Sequence, residues 1–331
     1  MQPVFLSSDD LRGLAEPAEF VEVVRRGYQQ RGNGAPAKPR TTLGSADPPG
    51  MLTGYTAILP ETGAMGGYTY SAGFGARDAW FVTPLFDADT GEPLAILDGA
   101  WMNPFKTGAT GAVAVDALAR AEADTLAIIG SGPQARGQLS ATATMRDLAE
   151  VRVFSPTKSN RESFATEFDD RLDAAVSAVA DAESAIGGAD VVITATNANE
   201  PVFDGDDLDP GTHVTAMGQY HPEKREIDHD TIERSRYVPD LRDRVEQDAG
   251  AFLHALEDGV VKESHVHAEL GDIVAGTASG RTSDDQITVF DSGGTGIETV
   301  AAAHLLYERA MERDLGTRLE ISAASEALTG R

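Results

Sequence analysis

The sequence predicts an α/β protein in which a doubly wound parallel sheet is inserted in a second, α+β domain. Short β-like runs separated by Gly, Pro and Asp fill residues 40–97, which is typical of an antiparallel sheet. Strands then alternate with helix-length segments from residue 125 onwards, which is typical of a parallel sheet covered on both faces. A last strand-like segment over 319–322 would rejoin the first domain.

The first part of the chain carries two helix signals before its strands. A capping sequence over 7–10 predicts a helix at 11–15, and apolar residues at helical spacing predict a helix at 17–30, which the Gly/Pro-rich segment 32–39 ends. Four strands and a helix of small residues should follow, over 51–59, 67–72, 79–86, 93–97 and 107–121. The turn at 87–91 should join the last two strands as a hairpin.

The second part of the chain alternates between strands and helices. Strands are predicted over 125–130, 151–154, 174–179, 191–196, 213–218, 237–240 and 286–293, and helices over 133–148, 160–172 and 299–315. At 331 residues the chain can hold about two domains of ordinary size. We therefore assign residues 116–304 to a Rossmann-type domain and residues 1–115 plus 305–331 to the other domain.

The charge balance excludes one class of partner. Lys and Arg number 27 and Asp and Glu number 53, so the formal net charge of −26 repels nucleic acid and anionic membrane surfaces. Carboxylates are dispersed along the chain, and lysine is scarce. Such a surface is typical of a salt-adapted, halophilic protein, because salt screens the mutual repulsion of the carboxylates. An ordinary acidic protein is the alternative.

Absent residue types narrow the chemistry further. Without cysteine the chain has no disulfide, no thiolate nucleophile and no Cys-ligated zinc. His265 and His267 would point to one side of a strand, but a third ligand at suitable spacing is lacking, so we predict no metal site. The first residues resemble no secretory leader, and no apolar run reaches the roughly 18 residues of a membrane span. We therefore expect a soluble, cytoplasmic protein.

The segment GSGPQA lies between a predicted strand and a predicted helix, which is where a dinucleotide fingerprint is found. Gly130 allows the tight turn, Gly132 lets the backbone approach a pyrophosphate, and Ala135 allows the helix to pack closely. The phosphates would meet the helix N-terminus. A glycine turn without a ligand is the alternative. The whole candidate loop comprises Gly130, Ser131, Gly132, Pro133, Gln134 and Ala135.

The side chains after the second strand of this domain distinguish the two nicotinamide cofactors. Ser155 occupies the position where an acidic residue would bind the ribose 2′-hydroxyl of NAD(H). Thr157, Lys158 and Arg161 add a hydroxyl and two positive charges, which suit a 2′-phosphate. We therefore favour NADP(H) over NAD(H), with solvated helix-start charges as the alternative. Further candidates to line the cofactor, at the ends of other strands, are Thr194, Thr196, Ser292 and Gly293.

Segments along nearly the whole chain carry a family resemblance. They occur in the order LSSDDLRGL, FDADTGEPLAILDG, KTGATGAVAVDALA, TLAIIGSGPQA, ADVVITAT, EPVF, PGTHVTAMGQYHPEKREID, HAELGDIVAG and AAAHLLYERA. Together they resemble the ornithine cyclodeaminase and mu-crystallin family, which includes archaeal-type alanine dehydrogenases, imine reductases and crystallins. The resemblance implies a Rossmann domain inserted in an open-barrel dimerisation domain, a nicotinamide cofactor and a homodimer.

The resemblance also implies site residues. The two basic side chains that hold the substrate carboxylate in the family fall on Arg40 and Lys106, and both residue types suit that task. The family's catalytic lysine and aspartate align with Tyr68 and Tyr220. A tyrosine, with an ordinary pKa of about 10, is a poor base near neutral pH, although it can donate a proton. His221 is the best nearby candidate for general acid–base catalysis.

Three functional hypotheses follow from these residues. The first is an NAD(P)(H)-dependent oxidoreductase acting on a small amino, imino or keto acid, which the fingerprint and the two retained basic positions favour. The second is conversion of ornithine to proline and ammonia with catalytic NAD, against which the loss of the lysine and aspartate argues. The third is a non-catalytic protein that binds NAD(P)H or another ligand, which the same loss would favour.

Overall fold

The computed structural model describes residues 2–75 and 78–329 and arranges them around two sheets. The chain begins with most strands of the first sheet and the helices that pack near it. These elements are β1 (Val4–Leu6), α1 (Ser8–Leu11), α2 (Pro17–Gly32), β2 (Thr41–Ala46), β3 (Pro49–Leu59), β4 (Ala64–Gly73), β5 (Asp78–Asp87), β6 (Pro93–Asp98) and α3 (Asn103–Leu118).

The second sheet and its helices come next, and the chain then returns to the first sheet. The elements are β7 (Thr125–Ile129), α4 (Pro133–Thr142), β8 (Glu150–Phe154), α5 (Lys158–Asp169), β9 (Ala175–Ala178), α6 (Ala182–Ile186), β10 (Val191–Thr194), β11 (His213–Ala216), α7 (His229–Arg234), β12 (Ser235–Pro239), α8 (Arg242–Asp248), α9 (Gly250–Glu257), α10 (Leu270–Val274), β13 (Ile287–Asp291), α11 (Gly296–Glu312), β14 (Thr317–Arg318) and α12 (Ala324–Thr329). Short 3-10 turns lie at Gly205–Asp207 and Glu263–His265.

The first sheet has the strand order β14-β1-β6-β5-β4-β3-β2. Strands β2 to β6 pair antiparallel as a meander, and β1 joins β6 in parallel. One face is covered by α2 and α11, because Phe20 and Tyr28 of α2 share an apolar core with Ile297 and Val300 of α11. That same face carries a row of aromatic residues towards the other end of the strands.

The second sheet is parallel, with the strand order β12-β13-β11-β10-β7-β8-β9. Successive residues of β7 enter different apolar cores, since Leu126 packs on one face and Ala127 on the other. Both faces are therefore covered, and the predicted α/β class is confirmed. The strand order reverses direction between β7 and β10, and ligands of such sheets bind at this point, beyond the carboxyl ends of the strands.

Helix α3 connects the two sheets and packs tightly on α4. Gly108 of α3 and Gly137 of α4 face each other so closely that a Cβ on Gly108 would overlap the Gly137 carbonyl, and one on Gly137 would overlap the carbonyl of Pro104. Only glycine permits this backbone approach. The contact fixes the first turns of α3, which carry Lys106, against the helix that follows the GSGPQA loop.

Several predicted boundaries are wrong at the ends of helices. The sequence over 7–10 does form a capping box, but α1 ends at Leu11 because the chain turns at Gly13, whose φ is 70°. Helix α4 ends at Thr142 rather than at residue 148. There the chain bends towards α3, where Arg146 donates to Asp116 at 2.9 Å.

Short elements were missed or misplaced. The chain rejoins the first sheet through β14, residues 317–318, instead of 319–322. Strands β1 and β2, helices α6 to α10 and helix α12 were not predicted, because three- to eight-residue elements carry too few residues for a periodic pattern. Among the described residues, none of the helices is both long enough and apolar enough to cross a membrane.

Candidate functional site

A cavity of about 250 Å³ lies between the first sheet and the carboxyl edge of the parallel sheet. Strands β3, β4 and β5 supply one wall, and the loops after β10, β11 and β13 supply another. The first turns of α3 and α4 close it from the side, with Lys106 and Gln134. The cavity therefore lies where the strand order of the parallel sheet reverses.

Aromatic side chains form the wall on the first sheet. The strand register places Tyr55 opposite Tyr68 and Tyr70 opposite Phe81, and paired residues in neighbouring strands point to the same face. Phe81 stacks on Tyr68 with ring centres 5.1 Å apart and contacts Tyr70 at 4.9 Å. Of these rings, sequence analysis identified only Tyr68, although the alternation of Tyr68 and Tyr70 on one strand was the signal for a shared face.

Arg40 is brought to this cavity by the segment before β2 and is only 8% exposed. Its Nε lies 3.1 Å from Oδ2 of Asp248, an ion pair whose angles do not make a good hydrogen bond. Its Nη1 donates to the Tyr70 hydroxyl at 3.3 Å, and the Tyr220 ring covers the guanidinium at 4.1 Å. The guanidinium is thus held in place while part of it still lines the cavity.

Lys106 lies in the first turns of α3 and is 1% exposed. Its Nζ donates to Oε1 of Glu298 at 3.4 Å and lies 5.0 Å from the centre of the Tyr68 ring. Burial lowers the pKa of Lys106, and the negative charge of Glu298 opposes this shift. Both predicted carboxylate-binding cations therefore line the same cavity, and the ring centre of Tyr55 is 5.5 Å from Arg40 and 5.8 Å from Lys106.

The three predicted catalytic side chains occupy different positions. Tyr68 lines the cavity, but its hydroxyl donates to the Gly99 carbonyl at 3.0 Å, and burial raises its pKa well above the ordinary value. Tyr220 is half-buried over Arg40 and also lines the cavity. His221 does not line it; this exposed residue faces a neighbouring groove, and its Nδ1 accepts from the backbone of Glu223 at 3.1 Å.

The GSGPQA loop joins β7 to α4 at the edge of the cavity. Gly130 has a φ of 129°, and a Cβ there would overlap the carbonyl of Ala195, so this position requires glycine. A Cβ on Gly132, by contrast, would meet nothing within 4 Å, which leaves open space beside the first turn of α4. Pro133 begins the helix, and Ala135 is fully buried against the sheet.

Two observations test whether a dinucleotide fits this loop. Oε1 of Gln134 is buried, lines the cavity and has no hydrogen-bond partner among residues 2–75 and 78–329, so it can accept from a ligand amide. The space beside Gly132 leaves the backbone amides of the first turn of α4 accessible to an anion. The Ser131 and Ser155 hydroxyls lie 2.9 Å apart and join the loop to the end of β8. These residues fit a dinucleotide.

The residues predicted to select NADP(H) cluster after β8. Ser155 is buried, whereas Thr157 and Lys158 are exposed at the start of α5. Lys158 forms an ion pair with Glu162 at 3.6 Å, and Arg161 donates to the Ser155 carbonyl at 2.8 Å. The two cations are therefore close to the ribose end of the fingerprint, although each already has a protein partner.

Glu226 was missed by sequence analysis, yet it organises the ends of two strands. This carboxylate is 2% exposed and accepts from the Thr194 hydroxyl at 2.9 Å, the Thr196 amide at 2.7 Å and the Gly218 amide at 2.6 Å. Burial raises its pKa, and these hydrogen bonds oppose the shift. Thr196 and Gly218 line the cavity, whereas the hydroxyl of the buried Thr194 supports the loop from behind.

A second missed cluster lies below the loop that follows β13. The buried Arg244 binds Asp240 at 2.7 Å and Asp248 at 2.6 Å, and it also pairs with Asp291. Asp240 accepts from the amide of Gly293 at 2.8 Å and from that of Gly294 at 2.9 Å. The predicted residues Ser292 and Gly293 line the cavity, and Arg244 links them through Asp248 to Arg40. Asp240 and Asp248 lie four residues before and after Arg244, but such spacing is as common on exposed helices, and Asp291 is distant in sequence.

Two histidines considered in the sequence and one group of three carboxylates are the candidate metal ligands among the described residues. The prediction that His265 and His267 lie on a strand is wrong, because His265 ends a 3-10 turn and His267 follows that turn. Nε2 of His265 lies 2.8 Å from the carbonyl of Ile232, and Nε2 of His267 lies 2.9 Å from the carbonyl of Ser279. Asp204, Asp228 and Asp230 bring carboxylate oxygens within 4.8 Å of one another. Both carboxylate oxygens of Asp228 already accept hydrogen bonds: Oδ1 caps α7 by accepting from the amide of Thr231, and Oδ2 accepts from the amide of Gly205.

Comparisons with known proteins give a consistent result. The sequence profile of the ornithine cyclodeaminase/mu-crystallin family matches residues 9–314. A Δ1-pyrroline-2-carboxylate reductase of Bacillus cereus is 34% identical over 264 residues, which cover 80% of this chain and 78% of the relative.

Two solved structures are similar over almost the whole chain. The Thermococcus litoralis Δ1-pyrroline-2-carboxylate reductase, in complex with NADH and L-proline, has a TM-score of 0.90 at 33% identity and covers 96% of this chain and 100% of its own. An archaeal alanine dehydrogenase dimer with bound NAD has a TM-score of 0.91 at 28% identity, and the match covers 97% of this chain and 100% of the dehydrogenase chain.

Proposed function

The chain belongs to the ornithine cyclodeaminase/mu-crystallin family, and on that premise we propose that it is an NAD(P)(H)-dependent oxidoreductase acting on a small amino, imino or keto acid. One observation carries the proposal: Arg40 and Lys106 present buried positive charges in an aromatic cavity that adjoins a dinucleotide fingerprint. Relatives named as a reductase of a cyclic imino acid and as an alanine dehydrogenase support the same substrate class.

The cofactor is a nicotinamide dinucleotide, as the NADH and NAD complexes of the two similar structures support. When bound, it supplies or accepts the hydride of the reaction. Gly130, Gly132 and the first turn of α4 would hold its phosphates, with Ser131 and Ser155 beside them. Gln134, Thr196 and Ser292 to Gly294 would surround the nicotinamide, because they line the cavity at the carboxyl edge of the sheet.

Arg40 binds the substrate carboxylate in this proposal, and Lys106 adds a second positive charge. A guanidinium held by Asp248 and covered by Tyr220 is fixed before the substrate arrives, so little side-chain entropy is lost on binding. The rings of Tyr55, Tyr68 and Phe81 exclude water and favour an apolar or cyclic substrate body. A small cyclic imino acid therefore suits the cavity.

NADPH is the proposed preferred reductant, because Ser155 stands where an acidic residue would repel a 2′-phosphate. Thr157, Lys158 and Arg161 are the groups that would contact it, after rearrangement of the ion pair with Glu162. NADH is the alternative, and the Thermococcus litoralis structure contains NADH.

A homodimer is the proposed assembly, formed through the proposed domain of residues 1–115 plus 305–331, with residues 116–304 as the proposed nucleotide-binding domain. The first turns of α11 pack on the first sheet, so residues 296–304 lie with the dimerisation domain. Leu43, Leu52 and Trp80 lie in one row across β2, β3 and β5, on the face opposite the cavity, and Leu43 and Trp80 are 65% and 67% exposed. Apolar side chains this exposed favour burial against a second copy. Trp80→Glu should yield a monomer in light scattering, whereas a wild-type monomer would contradict the proposal.

Substrate and cofactor panels test the function. Pyruvate with ammonia or methylamine, Δ1-pyrroline-2-carboxylate and L-ornithine should be tested with NADH, NADPH and NAD⁺ in molar KCl, since we also propose a salt-adapted cytoplasmic protein. Oxidation of a dihydronicotinamide by an imino acid is expected. Ammonia release from ornithine would instead favour the cyclodeaminase, against which the replacements at Tyr68 and Tyr220 argue. Nucleotide and carboxylate binding without turnover would favour a non-catalytic protein.

A further inference from the structure

Reduction of an imine or a carbonyl needs a proton donor beside the reacting atom, and three of the four tyrosines that line the cavity are poorly suited to this task. The hydroxyl proton of Tyr68 is already donated to the Gly99 carbonyl. Burial raises the pKa of Tyr55 and of Tyr70, which makes each of them a weaker acid than an ordinary tyrosine. His221 faces the neighbouring groove instead of the cavity.

Lys106 has the geometry that these groups lack. Lys106 lines the cavity, and its Nζ lies beside the Tyr68 ring and carries three donors, of which one points to Glu298. Among the described residues, Glu298 is the one hydrogen-bond partner of Nζ, so further N–H groups can reach a ligand. Helix α3 fixes this position, because Gly108 packs against α4 one turn beyond the fingerprint.

We propose that Lys106 is the proton donor of the reduction and its proton acceptor in the reverse direction, in the place of the tyrosines. This inference rests on the proposed function and extends it, since it gives Lys106 a role beyond attraction of the carboxylate. Arg40 remains the principal carboxylate-binding group, held by Asp248 and Tyr70.

In the proposed reduction, the substrate receives a hydride from the cofactor and a proton from Lys106. A hydride from the dihydronicotinamide adds to the carbon of a neutral C=N or C=O group, and the π electron pair moves to the nitrogen or oxygen. That atom forms a new bond to a proton that leaves Nζ of Lys106. The substrate gains two electrons and two hydrogens, the dihydronicotinamide loses two electrons, and Lys106 becomes a neutral amine. Solvent protonates the amine before the next turnover.

The charges around Lys106 set the direction of its pH dependence. Burial and the positive charge of Arg40, before β2, disfavour the ammonium form of Lys106. The negative charges of Glu298, in α11, and Asp240, after β12, favour it. The neutral rings of Tyr55, in β3, and Tyr68, in β4, also face Nζ. The net effect lowers the pKa of Lys106 from 10.5. Because the donor must be protonated, reductive kcat/KM should fall as pH rises through this lowered pKa.

The test combines a pH profile with a direct titration. Reduction of Δ1-pyrroline-2-carboxylate is measured from neutral to alkaline pH for the wild type, Lys106→Arg and the exposed control Lys262→Arg. Lysine labelled with ¹³C at Cε gives a simple spectrum, because the chain has few lysines, and Lys106→Arg identifies the signal of Lys106. Should Lys106→Arg fail to fold, Lys106→Ala with added ethylamine replaces it.

We expect the alkaline limb of the wild-type profile to coincide with the titration of the Lys106 signal. Lys106→Arg should lose this limb and at least about 100-fold in kcat, with KM changed little, because arginine keeps the charge but does not release the proton. Lys262→Arg should match the wild type. In Lys106→Ala, ethylamine should restore part of the activity.

Two results would overturn the inference in distinguishable ways. If the wild type is active but Lys106→Arg keeps both kcat and the alkaline limb, Lys106 is not the donor and the proposed function stands. Loss of the limb in Tyr68→Phe or Tyr220→Phe would then identify a tyrosine instead. If the wild type reduces none of the substrates with either cofactor, the proposed function fails and the inference fails with it.

Discussion

Removal of the Arg40 guanidinium is the perturbation whose effect the structure predicts most fully. Arg40→Ala deletes a buried cation that lines the cavity, yet its ion-pair partner Asp248 keeps a 2.6 Å contact with Arg244. Because Asp248 keeps that partner, we expect the variant to fold. The contacts with Tyr70 and Tyr220 are lost, but both are neutral rings that remain packed in the cavity wall.

The magnitude follows from the charge-assisted hydrogen bond to the substrate carboxylate. Such a bond is worth about 1.5–3 kcal/mol, so Arg40→Ala should weaken carboxylate binding by roughly 10- to 150-fold. Isothermal titration with L-proline, in the presence of the nucleotide, measures this change. L-prolinamide has the same ring without the negative charge, so its affinity should change by much less.

A nearby exposed lysine supplies the matched control. Lys38 lies two residues before Arg40, and its side chain is 78% exposed and pairs with Asp243 at 3.5 Å. Lys38→Ala removes the same charge from the same segment and should leave L-proline affinity unchanged. Equal losses for L-proline and L-prolinamide in Arg40→Ala, or an unchanged affinity for L-proline, would refute the assignment of Arg40 to the carboxylate.

Further predictions concern the nucleotide, the buried charges and salt. Gly132→Asp should keep the melting temperature, since its side chain enters open space, but should abolish NAD(P)H binding in a fluorescence titration; unchanged affinity would remove the nucleotide site from this loop. Lys158→Ala should raise KM for NADPH several-fold and leave KM for NADH unchanged if the 2′-phosphate is bound there. Arg244→Met should cost about 3–5 kcal/mol in denaturant unfolding, because it leaves Asp240 and Asp291 buried without their cation; a loss below 1 kcal/mol would contradict this. The net charge of −26 predicts a melting temperature that rises steeply between 0.1 and about 3 M KCl as the Debye length shrinks to a few ångströms, and a flat profile would contradict salt adaptation.

The fingerprint and the alternation of strands and helices were predictable because both are local patterns. Gly130 has a positive φ, and its place in the GSGPQA segment between a strand and a helix predicts the tight turn that needs it. Every strand of the parallel sheet was located to within a few residues. The position of Lys106 at the start of a helix was likewise evident from the small residues that follow it.

The polar clusters were not predictable, because their members are buried only by tertiary packing and several partners are distant in sequence. Arg244 meets Asp291, and Glu298 meets Lys106, only after elements that are far apart along the chain have packed together. A buried carboxylate such as Glu226 looks like any other acidic residue in a chain with 53 of them. His221 was selected for its residue type, but the chain leaves the cavity edge after Tyr220 and exposes the imidazole.

Nicotinamide-dependent reduction of a small imino acid is the activity that we propose for the cavity of Arg40 and Lys106. The most direct test incubates the wild-type protein in molar KCl with Δ1-pyrroline-2-carboxylate and either NADPH or NADH, and quantifies L-proline and oxidised cofactor together. We expect the two products to form in equal amounts, and we expect Arg40→Ala to form them far more slowly at low substrate concentration. Cofactor and substrate that both bind but remain unchanged, across this substrate and pyruvate with ammonia or methylamine, would contradict the proposal.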